Sequence, residues 1–255
     1  MLSGKQRTVW LRVANGVEAL SGLGAEVWNQ PAAARNALRE LLSVLTITHV
    51  EIDLDPLRRR TASETDWKTL LARGGDWADL LRELVAAIAD AVRGRAEWGI
   101  GLPNPARVAE GLGDASERGT LKAGIQLASF LQGFREAGPA FLAVDLTGPA
   151  VGEKAVAQVI RNAQLYGWKQ AAIVETPMSP PPVEVQLVAD ATVDDVAAHW
   201  QRGDLVGGGL GPRFWRGGYA EPPLPPRCLL YGEIPSGADA AGIVDAGRRL
   251  GGLLA

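Results

Sequence analysis

The sequence predicts an α/β chain that closes as a (β/α)8 TIM barrel, irregular where helices are missing after strands five and seven, with residues 1–255 forming one barrel domain. Short β-rich runs alternate with stretches whose apolar residues recur at helical spacing, the pattern that crossover connections turn into a parallel sheet. The alternation reaches eight strand candidates, and 255 residues is the size at which eight such units make one barrel.

Thr8–Asn15 is the first strand candidate. Pro31 suits a first helical position, and Ala34, Leu38, Leu41, Leu42 and Leu45 share one helical face before the strand-like His49–Asp55. Asp76 is placed to cap a helix bearing Trp77, Leu80, Leu81, Leu84, Val85 and Ile88, which leads into Trp98–Leu102. Leu121, Ile125, Ala128, Leu131 and Phe134 form the next stripe, stopped by Gly138 and Pro139 ahead of Ala140–Leu146. Val156, Val159, Ile160 and Ala163 make a helix ending near Gly167, and Ala171–Thr176 and Val183–Val188 read as the fifth and sixth strands. Only Pro177–Pro182 separates those two, too little for a crossover helix. Thr192 and Asp195 form a capping pattern for a helix with Val196 and Trp200 before Leu205–Gly208. Gly209–Pro226 shows no apolar period and reads as a long loop. Cys228–Gly232 is the last strand, and Ser236 with Asp239 caps a closing helix that carries Ile243, Val244 and Leu250.

Composition limits the function classes. A net charge of −3 argues against a dedicated nucleic-acid binder, whose phosphate contacts need a basic face. One cysteine forms no internal disulfide, and with two histidines it leaves little for a zinc site. No apolar run approaches the roughly 18 residues needed to span a bilayer, and Met1–Arg7 has no signal-peptide core, so the expectation is a cytoplasmic protein without membrane contact.

In a barrel the chemistry gathers at the carboxyl ends of the strands. Glu51, Asp53 and Asp55 alternate there on one face of the second strand, where neighbouring carboxylates would raise one another's pKa, and Arg12 is a polar partner for them. Asp145 and Glu175 end the fourth and fifth strands, each able either to cap the next segment or to meet a ligand. Gly207-Gly208-Gly209-Leu210-Gly211, followed by Arg213 and Arg216, would offer backbone N–H groups and two guanidinium forks to an anion, or serve as a lid. Trp215 in the same loop is the tryptophan assigned to ligand or partner contact, while Trp67, Trp77, Trp98, Trp168 and Trp200 are assigned to packing. Arg58-Arg59-Arg60 reads as a solvated turn near the mouth. His49 starts its strand, at the end away from catalysis, and His199 lies on a helix; both read as structural, and Cys228 reads as a small hydrophobe.

Several segments, taken in order, resemble the barrel superfamily of uroporphyrinogen decarboxylase, cobalamin-independent methionine synthase and corrinoid methyltransferases. Thr8-Val9-Trp10-Leu11-Arg12 resembles the opening strand with its arginine, and Ile52-Asp53-Leu54 the second-strand segment with the decarboxylase's catalytic aspartate. Gly99-Ile100-Gly101-Leu102-Pro103-Asn104-Pro105 resembles the third-strand segment. Phe134–Gly138 running into Phe141–Gly148 resembles a helix ending in Ala-Gly and an acidic-ended fourth strand, and Tyr231-Gly232-Glu233-Ile234-Pro235 a late segment before a helix. The resemblance implies Asp53, Asp145 and Arg12 as catalytic residues, with Asn104 and Glu233 around the ligand, and the strand-end positions of Glu51 and Glu175 and the loop carrying Arg213, Trp215 and Arg216 add those five to the expected ligand contacts. Where the methyltransferases carry a His-x-Cys zinc pair this chain has Leu187-Val188-Ala189-Asp190, and where the decarboxylase has an arginine-rich loop it has Val13–Glu18 after Arg12 alone.

The resulting expectation is a zinc-independent barrel that holds a small anionic or cofactor-like ligand, with neither cofactor nor reaction specified. The alternative is a non-catalytic barrel serving as partner subunit of a protein complex, met through its Pro-rich and Trp215 loops. A sugar-phosphate enzyme is a third reading, resting on the glycine–arginine loop alone.

Overall fold

The computed structural model describes residues 7–54, 67–71, 76–179, 183–217 and 223–255. Eight parallel strands close in chain order: β1 (Thr8–Arg12), β2 (His49–Asp53), β3 (Glu97–Leu102), β4 (Phe141–Asp145), β5 (Lys169–Ile173), β6 (Val185–Leu187), β7 (Val206–Gly209) and β8 (Leu229–Glu233). Closure is made by β8 against β1, in register from Thr8 opposite Leu229 to Arg12 opposite Glu233. Each expected strand is present.

Around them lie α1 (Ala14–Ser21), α2 (Pro31–Val44), α3 (Trp67–Leu71), α4 (Asp76–Val92), α5 (Pro105–Gly111), α6 (Glu117–Phe130), α7 (Glu153–Leu165), α8 (Val193–Arg202), α9 (Pro212–Arg216) and α10 (Ala240–Leu254). Local chemistry sets many of the starts. Pro31 opens α2, Asn104 and Ser116 cap α5 and α6, and Thr192 with Asp195 forms a reciprocal capping box on α8. Among the described residues between β5 and β6 there is no helix, as the short proline segment requires. No helix of the described residues is long and apolar enough to cross a membrane.

Several local expectations are corrected. The first strand stops at Arg12 rather than Asn15, because α1 starts only two residues later and takes Asn15 onto a helix. β5 starts and ends earlier than expected, at Lys169 and Ile173. The seventh connection is not entirely loop: Pro212 starts α9, whose five residues are too few to show an apolar period. Asp239, not Ser236, caps α10, accepting from the Gly242 N–H. Ile125, placed on the apolar stripe of α6, is 51 % exposed. Asp55 and Arg58–Arg60 lie outside the described residues, as does the Trp77 side chain.

Alternation along the strands divides the apolar side chains into two sets. Val9, Leu11, Val50, Ile52, Ile100, Leu142 and Val144 face the helices, whereas Trp10, Phe141, Ala171, Ile173, Leu187, Leu229 and Tyr231 fill the barrel. The interior is unequally supplied. A Cβ on Gly99 would lie 2.2 Å from the Phe141 ring, one on Gly101 2.7 Å from Glu51 Oε1, and one on Gly207 3.0 Å from Tyr231 Cβ. β3 and β7 are opposite in the closed order, so bare walls on both sides make room for large side chains from β1, β2, β4 and β8.

At the amino end of the barrel His49 stacks on Trp10 with ring centroids 5.4 Å apart, and its Nε2 lies 3.2 Å from Glu97 Oε2, which Lys169 also contacts. Burial pushes the imidazole down to about 4; Lys169 acts in the same direction, while Glu97 opposes it. A histidine whose folded pKa is depressed takes up its proton first in the unfolded chain. Stability is therefore lost as pH falls from about 6.5 toward 4, by roughly 3 kcal/mol for this shift. Urea midpoints measured across that window should decline in the parent protein and flatten in His49→Gln; parallel declines would remove His49 as the cause.

Candidate functional site

Period-two alternation and the register of three adjacent strands converge at the carboxyl end. Arg12, the last residue of β1, pairs in register with Glu51 on one side and Glu233 on the other. Its Nε donates to Glu51 Oε1 at 2.7 Å, Nη2 lies 3.1 Å from Asp53 Oδ2, and Nη1 lies 3.8 Å from Glu233 Oε2. Glu51 is fully buried, and its second oxygen accepts from Trp10 Nε1 at 2.8 Å. Asn15, brought in by the immediate start of α1, donates to Ile234 O at 2.6 Å and to Glu233 Oε1 at 3.3 Å.

Burial raises the Glu51 carboxyl above the ordinary carboxylate range, against the pull of Arg12 and the Trp10 hydrogen bond. Crowding by carboxylates, the cause expected from the sequence, is secondary and comes from Glu233. Burial also works against the charge of Arg12, but Tyr231, Asp53, Glu51 and Glu233 outweigh it and hold the guanidinium pKa well above its ordinary value. A pair of charges about 4 Å apart at an effective dielectric of 20 gains roughly 4 kcal/mol, comparable to the desolvation it offsets, so the buried Arg12 and Glu51 persist only as a pair.

The other expected residues are spread around the rim. Asp145 Oδ1 accepts from Thr147 N at 2.8 Å and Thr147 Oγ1 at 2.6 Å, closing the turn after β4, and Asp145 Oδ2 lies 4.0 Å from Arg107 Nη1. Asn104 is fully buried. Its Oδ1 caps α5 through Ala106 N, and its amide donates to Thr147 O and Pro149 O, tying the β3 and β4 loops together. Glu175 Oε1 accepts from Gly148 N at 3.3 Å, joining the β4 and β5 loops. Trp215 is half-buried, donates to Leu210 O at 2.9 Å and packs edge-on against Phe214, so α9 is anchored by it.

Among the described residues, two depressions lie at the mouth. One of about 250 Å³ is lined by Asn15, Ala189, Asp190, Pro212, Glu233, Pro235 and Ser236. A second, of about 320 Å³, is lined by Asp190, Thr192, Asp195, Pro212, Arg213 and Arg216, so Asp190 and Pro212 belong to both. The glycine run does not present a cradle of N–H groups to either: Gly209 N donates to Ala191 O and Leu210 N to Tyr231 O. Gly208 is required by close packing instead, since a Cβ there would meet Val196 at 2.8 Å.

Arg12, Glu51, Asp53 and Glu233 are thus brought together, Arg213 and Arg216 line the neighbouring depression, and Asp145, Asn104 and Glu175 act on the loops between β3 and β5. Asn15, Asp190 and Tyr231 were not foreseen. Tyr231 had a signal, lying two residues before Glu233 on the same strand face. Among the described residues no group of three or more His, Cys, Asp and Glu side chains is arranged to hold a metal ion.

No known protein family matches the chain, and no curated protein matches it. Solved structures do. An amidohydrolase from Burkholderia ambifaria, solved with bound zinc, is 12 % identical with a TM-score of 0.48; the match covers 79 % of this chain and 64 % of that one. A dihydrodipicolinate synthase is 10 % identical with a TM-score of 0.42, covering 97 % of this chain and 77 % of its own. The dihydrodipicolinate synthase of Oceanobacillus iheyensis is 10 % identical with a TM-score of 0.41, covering 86 % and 67 %. This chain therefore spans less than two thirds of the length of the amidohydrolase. Likeness at this level carries no argument about chemistry.

Proposed function

We propose that this barrel binds a small polar molecule at its carboxyl-end mouth, with Arg12, Glu51, Asp53 and Glu233 as the charged floor and Arg213 and Arg216 facing the ligand's anionic end. The observation that supports this best is the position of Glu233. It pairs with a buried arginine yet is about two-fifths exposed, and it lines the 250 Å³ depression, so the buried charges communicate with space a ligand can occupy. A purely structural ion cluster has no need of such an opening. The finer reading, a zinc-independent relative of the uroporphyrinogen decarboxylase and methionine synthase barrels, draws support from Arg12 and Asp53, which end adjacent strands and pair with each other.

The test is thermal melting with inorganic phosphate, citrate and glutamate as probes. At about ten times its Kd a probe adds roughly 1.4 kcal/mol and raises the midpoint by about 4 °C. Glu233→Gln and Arg213→Gln/Arg216→Gln should fold normally, since Arg213 and Arg216 are exposed and the long, part-exposed Glu233 pair contributes at most about 1 kcal/mol, and should lose most of that rise. Equal rises in the parent and both variants, or none in the parent, would overturn the reading; the second result combined with a stable protein complex would favour the partner-subunit alternative.

A further inference from the structure

Two side-chain donors at the floor of the mouth are buried without a hydrogen-bond partner among the described residues: Arg12 Nη2 and Tyr231 Oη. Nη2 is close enough to Asp53 to pair charges, at 3.1 Å, but is not aligned to donate to it. Tyr231 is fully buried between the Trp10 edge and the bare wall at Gly207. The two residues lie on hydrogen-bonded neighbours, with Tyr231 opposite Trp10 and Arg12 opposite Glu233, so both point inward one pleat apart.

An unsatisfied buried hydroxyl is costly, and phenylalanine would fill the same space without it. A polar atom retained in such a place calls for a partner that arrives from outside. We propose that Tyr231 Oη and Arg12 Nη2 together receive one oxygen of the ligand, a carbonyl or carboxylate oxygen, entering past Glu233. The inference rests on the reading of the mouth as a ligand site. The Glu233–Arg12 contact at 3.8 Å is the longest of the three ion pairs around the guanidinium, and Glu233 is the most exposed of the three carboxylates. Two convergent donors, one of them cationic, suit an oxygen bearing partial or full negative charge. Burial holds the phenol pKa well above its usual value, so Tyr231 keeps its proton and remains a donor.

The experiment uses acetate as the carboxylate probe and acetamide as the neutral carbonyl, with sodium chloride matching ionic strength. Arginine Nε–H and backbone resonances are followed by NMR in the parent chain and in Tyr231→Phe. Acetate is expected to shift the Arg12 Nε–H signal saturably, and acetamide to do so more weakly. Tyr231→Phe should melt no lower than the parent and bind acetate about ten- to a hundredfold more weakly, the loss of one hydrogen bond to a charged group. A melting point several degrees lower would reveal a structural bond to the hydroxyl, and an unchanged acetate affinity would show that the hydroxyl plays no part in binding; either overturns the proposal. Shifts confined to Asn15 and Ser236 would refute the donor pair while leaving the mouth as a ligand site. Absence of shifts at both places would remove the donor pair and the ligand site together.

Discussion

Arg12→Met is expected to melt about 10 °C below the parent protein. The guanidinium reaches Glu51, Asp53 and Glu233 at once, and Glu51 has no exposure to water. Removing one partner of a buried pair leaves the other charge uncompensated, at about 3–5 kcal/mol, and for a chain of this size each kcal/mol is worth about 2–4 °C. The deficit has a pH signature. Burial already lifts the Glu51 carboxyl, and without Arg12 it rises further, so the folded variant holds a proton that the unfolded chain releases. A group with a raised folded pKa stabilises at low pH and loses that contribution as pH rises, so the deficit should be smaller at pH 5 than at pH 8. Adding Glu51→Leu should restore much of the loss, reduced by the acceptor that Trp10 then lacks. Denaturant melts of the single and double variants at both pH values test this; a single variant within 2 °C of the parent at pH 8 would contradict the ion cluster itself.

Gly99→Ala should cost about 3 kcal/mol, at the upper end for one added methyl group. The new Cβ would lie 2.2 Å from the Phe141 ring and 2.4 Å from its backbone oxygen. A side chain could turn away, but the carbonyl belongs to the β3–β4 ladder, where Gly99 and Phe141 are in register. Gly251→Ala is the matched control. It sits within α10 with nothing inside 4 Å of the added carbon, and there the same change should stabilise by about 0.5–1 kcal/mol. Equal effects at the two positions would show that backbone entropy, rather than contact, governs them.

The strands were legible because each alternates or runs apolar between clear stops, and the barrel follows from their number. What stayed hidden was short or depended on register. α1 starts two residues after β1, leaving no turn signal between them, and α9 is five residues long. Arg12 and Asp53 were readable as strand-end residues, but their pairing depends on the offset between β1 and β2, which only the assembled ladder defines. Gly207–Gly209 looked like an anion cradle because composition does not distinguish a glycine that offers its N–H from one that yields space to Leu229 and Tyr231. Asp145 and Asn104 are legible in sequence as strand-end residues at the mouth, but the hydrogen bonds by which they hold the turns after β3 and β4 depend on loop geometry.

The bare walls of β3 and β7 have a consequence for substitution. Glu51 and Phe141 occupy volumes that a side chain at Gly101 or Gly99 would fill, so a larger residue on the wall is accommodated only with a smaller one opposite. Exchanges inside this barrel are therefore coupled in complementary pairs. Variants that exchange one member alone will look uniformly harmful, even where the exchanged pair is viable.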